Sequence, residues 1–519
     1  MAKLREIKND EDRNAALDIV KRKIKGLTIP KNSHAYILKL TEILIKRVEE
    51  LSQNKPISLS VASGIGEKTI KISSPVELPE NLDEYCKDDS VIYSTDYMAV
   101  KNKNGKGSLT ITIKGSATYA LLKTFVTVGI GLLFVFLINC FQWSELSGFI
   151  FNYITYPIES LFVNALQMIA TPVTFFAIIC STSFFYSYLK DGVLGRKLFW
   201  RYILSAAVAV VIGGLLFSLI HPFLQQGSMS EYVVNQNVAN QTFPDFIANL
   251  IPSNIMDPFT SGNSLQLLIL AVIIGIAVGA LRHKQTFVGK LIDGMNSIFI
   301  EVLNIIFVFS PYALFFAVLA IGLGGEAYEF GFLAAMFIAI VIGLIILVLI
   351  RCVILLANHI SPIWFFKQYK PFFAPVMVTG STIECIPENI KNCRANFKLP
   401  KKYLSQSIPF CAHNNMDGNC LFLGVVCTTI AYICNLEVNL ALVGALIMFA
   451  IVLSAGAPNQ PGSGIICMAV LIPTMGVNSI LIIYVVMLDL VCETLIACTN
   501  NISDMATVVC EAKREGLLD

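Results

Sequence analysis

From Tyr119 onward the chain consists largely of long apolar runs, and this confines that part of it to a membrane. Residues 118–519 carry 38 charged side chains in 402 positions, whereas residues 1–117 carry 36 in 117. Soluble proteins average about 25% charged residues, so the first stretch suits a soluble unit and the second does not. A crossing of ~30 Å takes about 20 helical residues. Six runs meet that length: Tyr119–Phe141, Phe149–Phe185, Phe199–Ile220, Leu265–Leu281, Ile298–Ile321 and Gly331–Leu356. Phe149–Phe185 exceeds a perpendicular span and is expected to tilt or to bend near Pro172.

Flanking charges give the orientation. Lys190, Arg196, Lys197, Arg201, Arg282, Lys284, Lys290, Lys367 and Lys370 fall in one set of loops, and the alternate loops 142–147, 221–260 and 322–330 contain no Lys or Arg. An excess of basic residues marks cytoplasmic loops. The polar stretch Met1–Asp12 also lacks the apolar core of a signal peptide. Both arguments predict a multi-pass protein of the cytoplasmic membrane with residues 1–117 on the cytoplasmic side.

Residues 1–117 read as a small α+β domain of unassigned role. Helices are predicted over Glu11–Lys25 and His34–Leu51, and strands over Ile57–Val61, Thr69–Ile72 and Val91–Val100, with a hairpin turn at Asn102–Gly107 leading into Ser108–Lys114. Gly64-Ile-Gly-Glu-Lys-Thr69 misses the glycine spacing of a phosphate loop and reads as a plain turn. A net charge of +2 gives no footprint for nucleic acid. The fourteen cysteines form no C-x-x-C pair and mostly sit in apolar runs, so neither a disulfide framework nor a zinc site is expected. No H-E-x-x-H or G-x-S-x-G motif supports an enzyme, and no organic cofactor is expected.

After Leu356 the spans are interrupted. Pro371–Cys393 is broken at Gly380–Glu384, Tyr403–Cys434 at His413–Asn419, and Ala441–Pro473 at Ser454–Gly464, while Ile480–Lys513 is a long helix with polar residues inside it. The arms beside the first and third breaks are short, about half a bilayer at ~1.5 Å per residue. Lysines and arginines flank the first segment but not the third. The pattern predicts two re-entrant helical hairpins entering from opposite faces, each followed by a span, as an inverted repeat. Paired interruptions of this kind are the best sequence pointer to a transporter's binding site. On the last helix Asp489, Glu493, Asn500 and Asp504 lie at offsets of 0, 4, 11 and 15 residues, within a stripe of about 60°. A carboxylate in mid-membrane costs at least about 2.5 kcal/mol. With Asp417 and Asn415 in the broken seventh span, these oxygens suit a hard monovalent cation: Na⁺, with H⁺ as the alternative.

Asn415-Met-Asp-Gly418, the first tip Ser381–Pro387, Pro461–Gly464 and Asn500…Asp504…Ala512-Lys513 resemble the motifs of the dicarboxylate/amino acid:cation symporters, the glutamate-transporter superfamily. The likeness spans about residues 120–516 and leaves out the head. It implies an all-α polytopic fold of eight transmembrane helices and two re-entrant hairpins. Residues 118–356 would be largely scaffold and 361–519 the transport core, in a homotrimer working by an elevator motion. It implies one sodium site from Asn415, Asn500, Asp504 and the Cys411 carbonyl, a second from Asp417 and Asn415 with Tyr202 and Ser205, and a third from backbone oxygens near His413 and the gating second tip. Substrate would lie among Ser381, Thr382, Ile383, Glu384, Asn419, Asp489, Glu493, Ala497 and Asn500, with Glu493 receiving its amino group. Acidic-substrate members place an arginine where this chain has Ile496, or at the position of Gly380. A buried substrate carboxylate without a cationic partner costs several kcal/mol. The expected activity is therefore cation-coupled import of a neutral amino acid, the alternatives being a substrate-gated channel or a transporter-derived sensor that signals through the head.

Overall fold

The structure, a computed structural model, describes the chain outside residues 1–4, 8–9, 25–30, 53–54, 64–66, 80–96, 104–105, 115–116, 142–143, 192, 221–247, 249, 262, 283–284, 325–326, 437–442, 445, 450, 453–461 and 519. It contains two compact units, Met1–Ala120 and Leu121–Asp519.

In the first unit β1 (Arg5–Ile7) is followed by α1 (Asp10–Ile24), α2 (Lys31–Leu51), β2 (Ile57–Ser63), β3 (Glu67–Ser74), β4 (Tyr97–Lys103) and β5 (Lys106–Lys114). The five strands form one antiparallel sheet in the order β1-β2-β3-β5-β4. Alternation along β2 sends Ile57, Leu59 and Val61 inward, where they meet Ile70, Ile72 and Leu109 beneath Ala16, Val20, Leu44 and Val48 of the helices. Arg13 on α1 bridges Glu49 on α2 at 2.6 Å. Strand β1 has no counterpart in the sequence reading, because three residues are too few to show a period. Pairing of Lys103 with Lys106 makes the β4–β5 connection two residues long, shorter than the predicted Asn102–Gly107 turn. Glu67–Thr69 runs into strand β3 and not into a helix, as a phosphate loop would require. Residues 91–96 of the predicted third strand lie outside the described residues.

The second unit is helical. Its elements are α3 (Ala117–Cys140), α4 (Ser144–Ile150), a π turn at Phe151–Thr155, α5 (Tyr156–Asp191), α6 (Val193–Ile220), α7 (Asp257–Ser261), α8 (Ser264–Arg282), α9 (Thr286–Phe307), α10 (Ser310–Gly324) and α11 (Ala327–Ala357). Beyond them come α12 (Pro362–Thr379), α13 (Ile386–Asn392), a π turn at Cys393–Phe397, α14 (Lys401–Asn414), α15 (Asp417–Ile433), α16 (Ser463–Thr474) and α17 (Ile482–Arg514). Among the described residues six spans are long and apolar enough to cross a membrane, and α9 with α10, bent by 51°, makes a seventh. Val126–Cys140 of α3 is a further, shorter apolar helix.

Three details depart from the sequence reading. Helix α5 runs unbroken through Pro172, and the irregularity lies upstream in the Phe151–Thr155 π turn. Neighbouring groups in a membrane bundle can satisfy the carbonyl a proline frees. The span predicted at Ile298–Ile321 bends at Val308–Phe309. The first arm of the first hairpin, α12, has 18 residues, more than a half-crossing, because Pro362 opens the helix well before the apolar stretch begins.

The broken seventh span, α14 with α15, occupies the centre. In the Lys401–Ile433 span 89% of the most apolar stretch is buried, against 28% for Trp200–Ile220. Helix α6 lies along α15 through reciprocal glycines: a Cβ on Gly213 would strike the Leu421 carbonyl, and one on Gly424 the Val210 carbonyl. Small residues of this kind let membrane helices approach backbone to backbone. Helix α11 packs against α6, α15 and α17 together. Leu204, Leu215, Leu219, Leu349 and Val353 point outward from α6 and α11, the surface that lipid tails demand.

Candidate functional site

The site forms where the break in the seventh span meets α17. Asn415 (φ −97°, ψ 94°) and Met416 (φ −120°, ψ 45°) leave the helical region between α14 and α15. Asn and Asp side chains compete with helical backbone bonding, and His413–Asn419 holds four of them in seven residues. The interruption itself is only Asn415 and Met416, narrower than the sequence suggested. Gly418 lets α15 begin against α17, since a Cβ there would sit 3.1 Å from Asn500 Oδ1 and 3.2 Å from the Ile496 carbonyl.

Asn415 Nδ2 donates to Asp504 Oδ1 at 2.8 Å. The opposite oxygens, Asn415 Oδ1 and Asp504 Oδ2, are buried and have no hydrogen-bond partner among the described residues. The Cys411 carbonyl lies one turn back, accepting the Asn415 backbone N–H at 2.8 Å. This set of oxygens fits a hard cation. Asn500 continues the network: its Oδ1 accepts from the Gly418 backbone at 2.8 Å, and its Nδ2 donates to Asn419 Oδ1 at 2.8 Å. Asn419 Nδ2 in turn donates to Ser463 Oγ at 2.8 Å. One chain of amides thus ties the seventh span to the last helix and to the returning arm of the second hairpin.

Asp417 has different company. Its Oδ2 accepts from Ser503 Oγ at 2.8 Å and is ion-paired with Arg351 Nη2, which also donates to Ser205 Oγ at 2.6 Å. Tyr202, expected beside Ser205 on the same ion, donates its hydroxyl to Cys411 Sγ at 2.8 Å. Ser205 and Asp417 thus meet on one guanidinium nitrogen, while the Tyr202 hydroxyl turns to Cys411. Arg351 was absent from the sequence reading. The signal was available, since it is the one charged residue between Gly331 and Leu356, and an ionisable group in mid-span is a functional candidate by default.

The stripe on α17 divides into two. Asn500 and Asp504 face the seventh-span break, while Asp489 and Glu493 face the start of α16. Glu493 Oε1 accepts from the Gly462 backbone N–H at 2.6 Å. Asp489 is buried so close to Gly464 that a Cβ there would strike its Oδ1. Carboxylates are favoured at a helix N-terminus, and Gly462 reaches this position with φ 87°. At the first tip Gly380 (φ 65°) ends α12, and Ser381 and Thr382 are fully buried. Thr382 Oγ1 donates to the Ala412 carbonyl at 3.3 Å, which seats the tip on α14. Ile383 is half-buried and Glu384 exposed. Ala497 packs with Val376, Cys385 and Cys498 between the first hairpin and α17. His413 is held by its own helix, with Nδ1 2.8 Å from the Pro409 carbonyl and its ring 5.0 Å from that of Phe184. Residues 453–461, most of the predicted second break, lie outside the described residues, and so do the expected gate and part of the expected third ion site.

A family model described as the sodium:dicarboxylate symporter family matches residues 117–514. A C4-dicarboxylate transport protein of Bacillus subtilis (strain 168) is 22% identical over 328 residues, 60% of this chain and 76% of that protein. A protein of the same name from Geobacter sp. (strain M21) is 25% identical over 379 residues, 70% of this chain and 85% of that protein. The proton/sodium-glutamate symport protein of Geobacillus stearothermophilus is 20% identical over 374 residues, 69% of this chain and 87% of that protein.

Proposed function

Because the chain belongs to the sodium:dicarboxylate symporter family, and so is a membrane transporter and not an enzyme, we propose that it is a secondary active symporter importing a neutral amino acid with Na⁺. The observation that carries this reading is the pair of partnerless oxygens, Asn415 Oδ1 and Asp504 Oδ2, buried where the seventh span breaks. A monovalent cation there neutralises Asp504 and stiffens the Asn500–Asn419–Ser463 chain that leads to the second hairpin. Substrate then enters a pocket already assembled between the two tips, and each ligand raises the affinity for the other by the same factor. Glu493 receives the substrate's amino group, exchanging it for the Gly462 backbone. The cytoplasmic N-terminus, the homotrimer and the elevator motion belong to the same proposal and rest on the family likeness and on the basic loops.

The relatives named for C4-dicarboxylates bear on the substrate. A dicarboxylate brings two negative charges to a region that already holds Asp489 and Glu493. Ile496 and Gly380 stand at the positions where acidic-substrate members carry a gripping arginine, and Arg351 is engaged with Asp417. These features favour a solute of no net charge. Uptake into proteoliposomes tests the reading, with neutral amino acids, glutamate and C4-dicarboxylates offered under Na⁺, H⁺ or K⁺ gradients. Accumulation of a neutral amino acid against its gradient, driven by inward Na⁺, is expected. Accumulation of a C4-dicarboxylate alone would reassign the substrate. Ion current without accumulation would mean a channel, and binding without flux a sensor.

A further inference from the structure

Arg351 stands where the family likeness calls for a transported ion. Its guanidinium bridges Asp417 and Ser205, two of the groups expected to hold a sodium, and it is itself buried. It comes from α11, a helix that packs against both α15 and α17, so it is anchored in the same body as the carboxylate it neutralises. Ser503 occupies a further approach to Asp417 Oδ2. Among the described residues each carboxylate keeps one buried oxygen without a hydrogen-bond partner, Asp417 Oδ1 and Asp504 Oδ2, but Asp417 has a guanidinium on its other oxygen where Asp504 has the Asn415 amide. Two carboxylates and one guanidinium leave a single negative charge in this buried cluster, which one monovalent cation cancels.

We propose that Arg351 is a built-in cation that replaces one transported ion at Asp417, so that the ion this cluster binds is the one at Asp504, Asn415 and Cys411. This inference rests on the symport reading for its meaning but not for its test. A tethered charge cannot be released to the cytoplasm, so the Asp417 position stays neutral throughout the cycle and contributes no driving force. A protein built this way concentrates its solute less steeply per unit of sodium gradient, and it keeps its seventh span ordered when sodium is low.

The test uses the purified full-length protein, with NaCl titrated against choline chloride at constant ionic strength and ²²Na binding counted per chain. The native chain is expected to bind one sodium fewer than Arg351→Ala, which exposes Asp417. In Arg351→Ala/Asp417→Asn, which restores neutrality, the count should return to the native value. No gain in Arg351→Ala, or a double variant whose count differs from the native one, would each overturn the proposal. Should Arg351→Ala fail to fold, the double variant decides alone: the native count upholds the proposal, and a lower count overturns it. A native chain that binds no sodium, together with an Arg351→Ala that binds one, upholds the arginine's role while removing sodium from the symport reading. The two readings therefore fail separately.

Discussion

The Asn415 carboxamide donates to Asp504 Oδ1 at 2.8 Å, and that bond decides which oxygens are left over. With the amide nitrogen committed to the carboxylate, the amide oxygen is left buried without a partner among the described residues, as is Asp504 Oδ2. Asp504→Asn should therefore remove both the charge and the reason for the geometry. The native protein is expected to gain about 2.7 kcal/mol of stability at a sodium concentration a hundredfold above its dissociation constant. The variant should show no difference between sodium and choline in a thermal-shift titration, and should lose sodium-driven uptake while remaining folded. Unchanged sodium stabilisation in Asp504→Asn would remove the ion from this position.

The ion pair between Arg351 and Asp417 is buried on both sides, so removing one member should cost more than removing both. Arg351→Met leaves a bare carboxylate in the bundle and is expected to destabilise by about 3–5 kcal/mol in choline medium. Adding Asp417→Asn should recover most of that loss, giving a large coupling in a double-mutant cycle read by reversible unfolding in detergent. Additive losses would mean that the two side chains do not compensate one another.

Much of this arrangement could be read in the sequence, and the parts that could not have a common cause. Carboxylates and asparagines in a run of Leu, Ile and Val stand out because each needs a partner, which is why Asn415, Asp417, Asn500 and Asp504 could be assigned to one place. The partner is harder to see, since it comes from another helix. Asp417 could equally have been neutralised by an ion or by an arginine 66 residues upstream, and helical spacing says nothing about contacts between spans. Likewise the stripe on α17 was legible as a face, but not its division between α16 and the seventh-span break. In the head, alternation located the main strands, whereas β1 depends on pairing with β2 and carries no signal of its own.

Glu493 is tied to the second hairpin, because the Gly462 N–H it accepts at 2.6 Å lies at the start of α16, and under the proposed function it also receives the substrate's amino group. A hydrogen bond to a charged group contributes about 1.5–3 kcal/mol. Glu493→Gln should weaken this anchor and lower affinity for amino acids by tenfold or more, with a smaller effect on analogues lacking the amino group. Isothermal titration with an amino acid and its deaminated counterpart separates the two effects. Equal losses for both ligands would mean that Glu493 acts on the hairpin alone.

Ile496 offers a test of substrate class. It is buried one turn beyond Glu493 on α17, and its side chain reaches the start of α15, where a Cβ on Gly418 would lie 3.1 Å from Ile496 Cγ2. An arginine here would bring a planar fork of donors into the region between the tips, within reach of Glu493 at i−3. A carboxylate-bearing side chain on the solute would then find the bidentate partner it lacks in the native chain, while a small neutral amino acid would lose apolar contact. Ile496→Arg is expected to shift the ratio of C4-dicarboxylate or glutamate uptake to neutral amino-acid uptake by at least tenfold, about 1.4 kcal/mol. Lysine supplies the charge without the fork, so Ile496→Lys should shift the ratio less. Competition assays in proteoliposomes, on variants whose melting temperature confirms folding, measure both. If neither variant moves the ratio, selectivity is set elsewhere between the tips, and the case for a neutral solute built on this position falls with it.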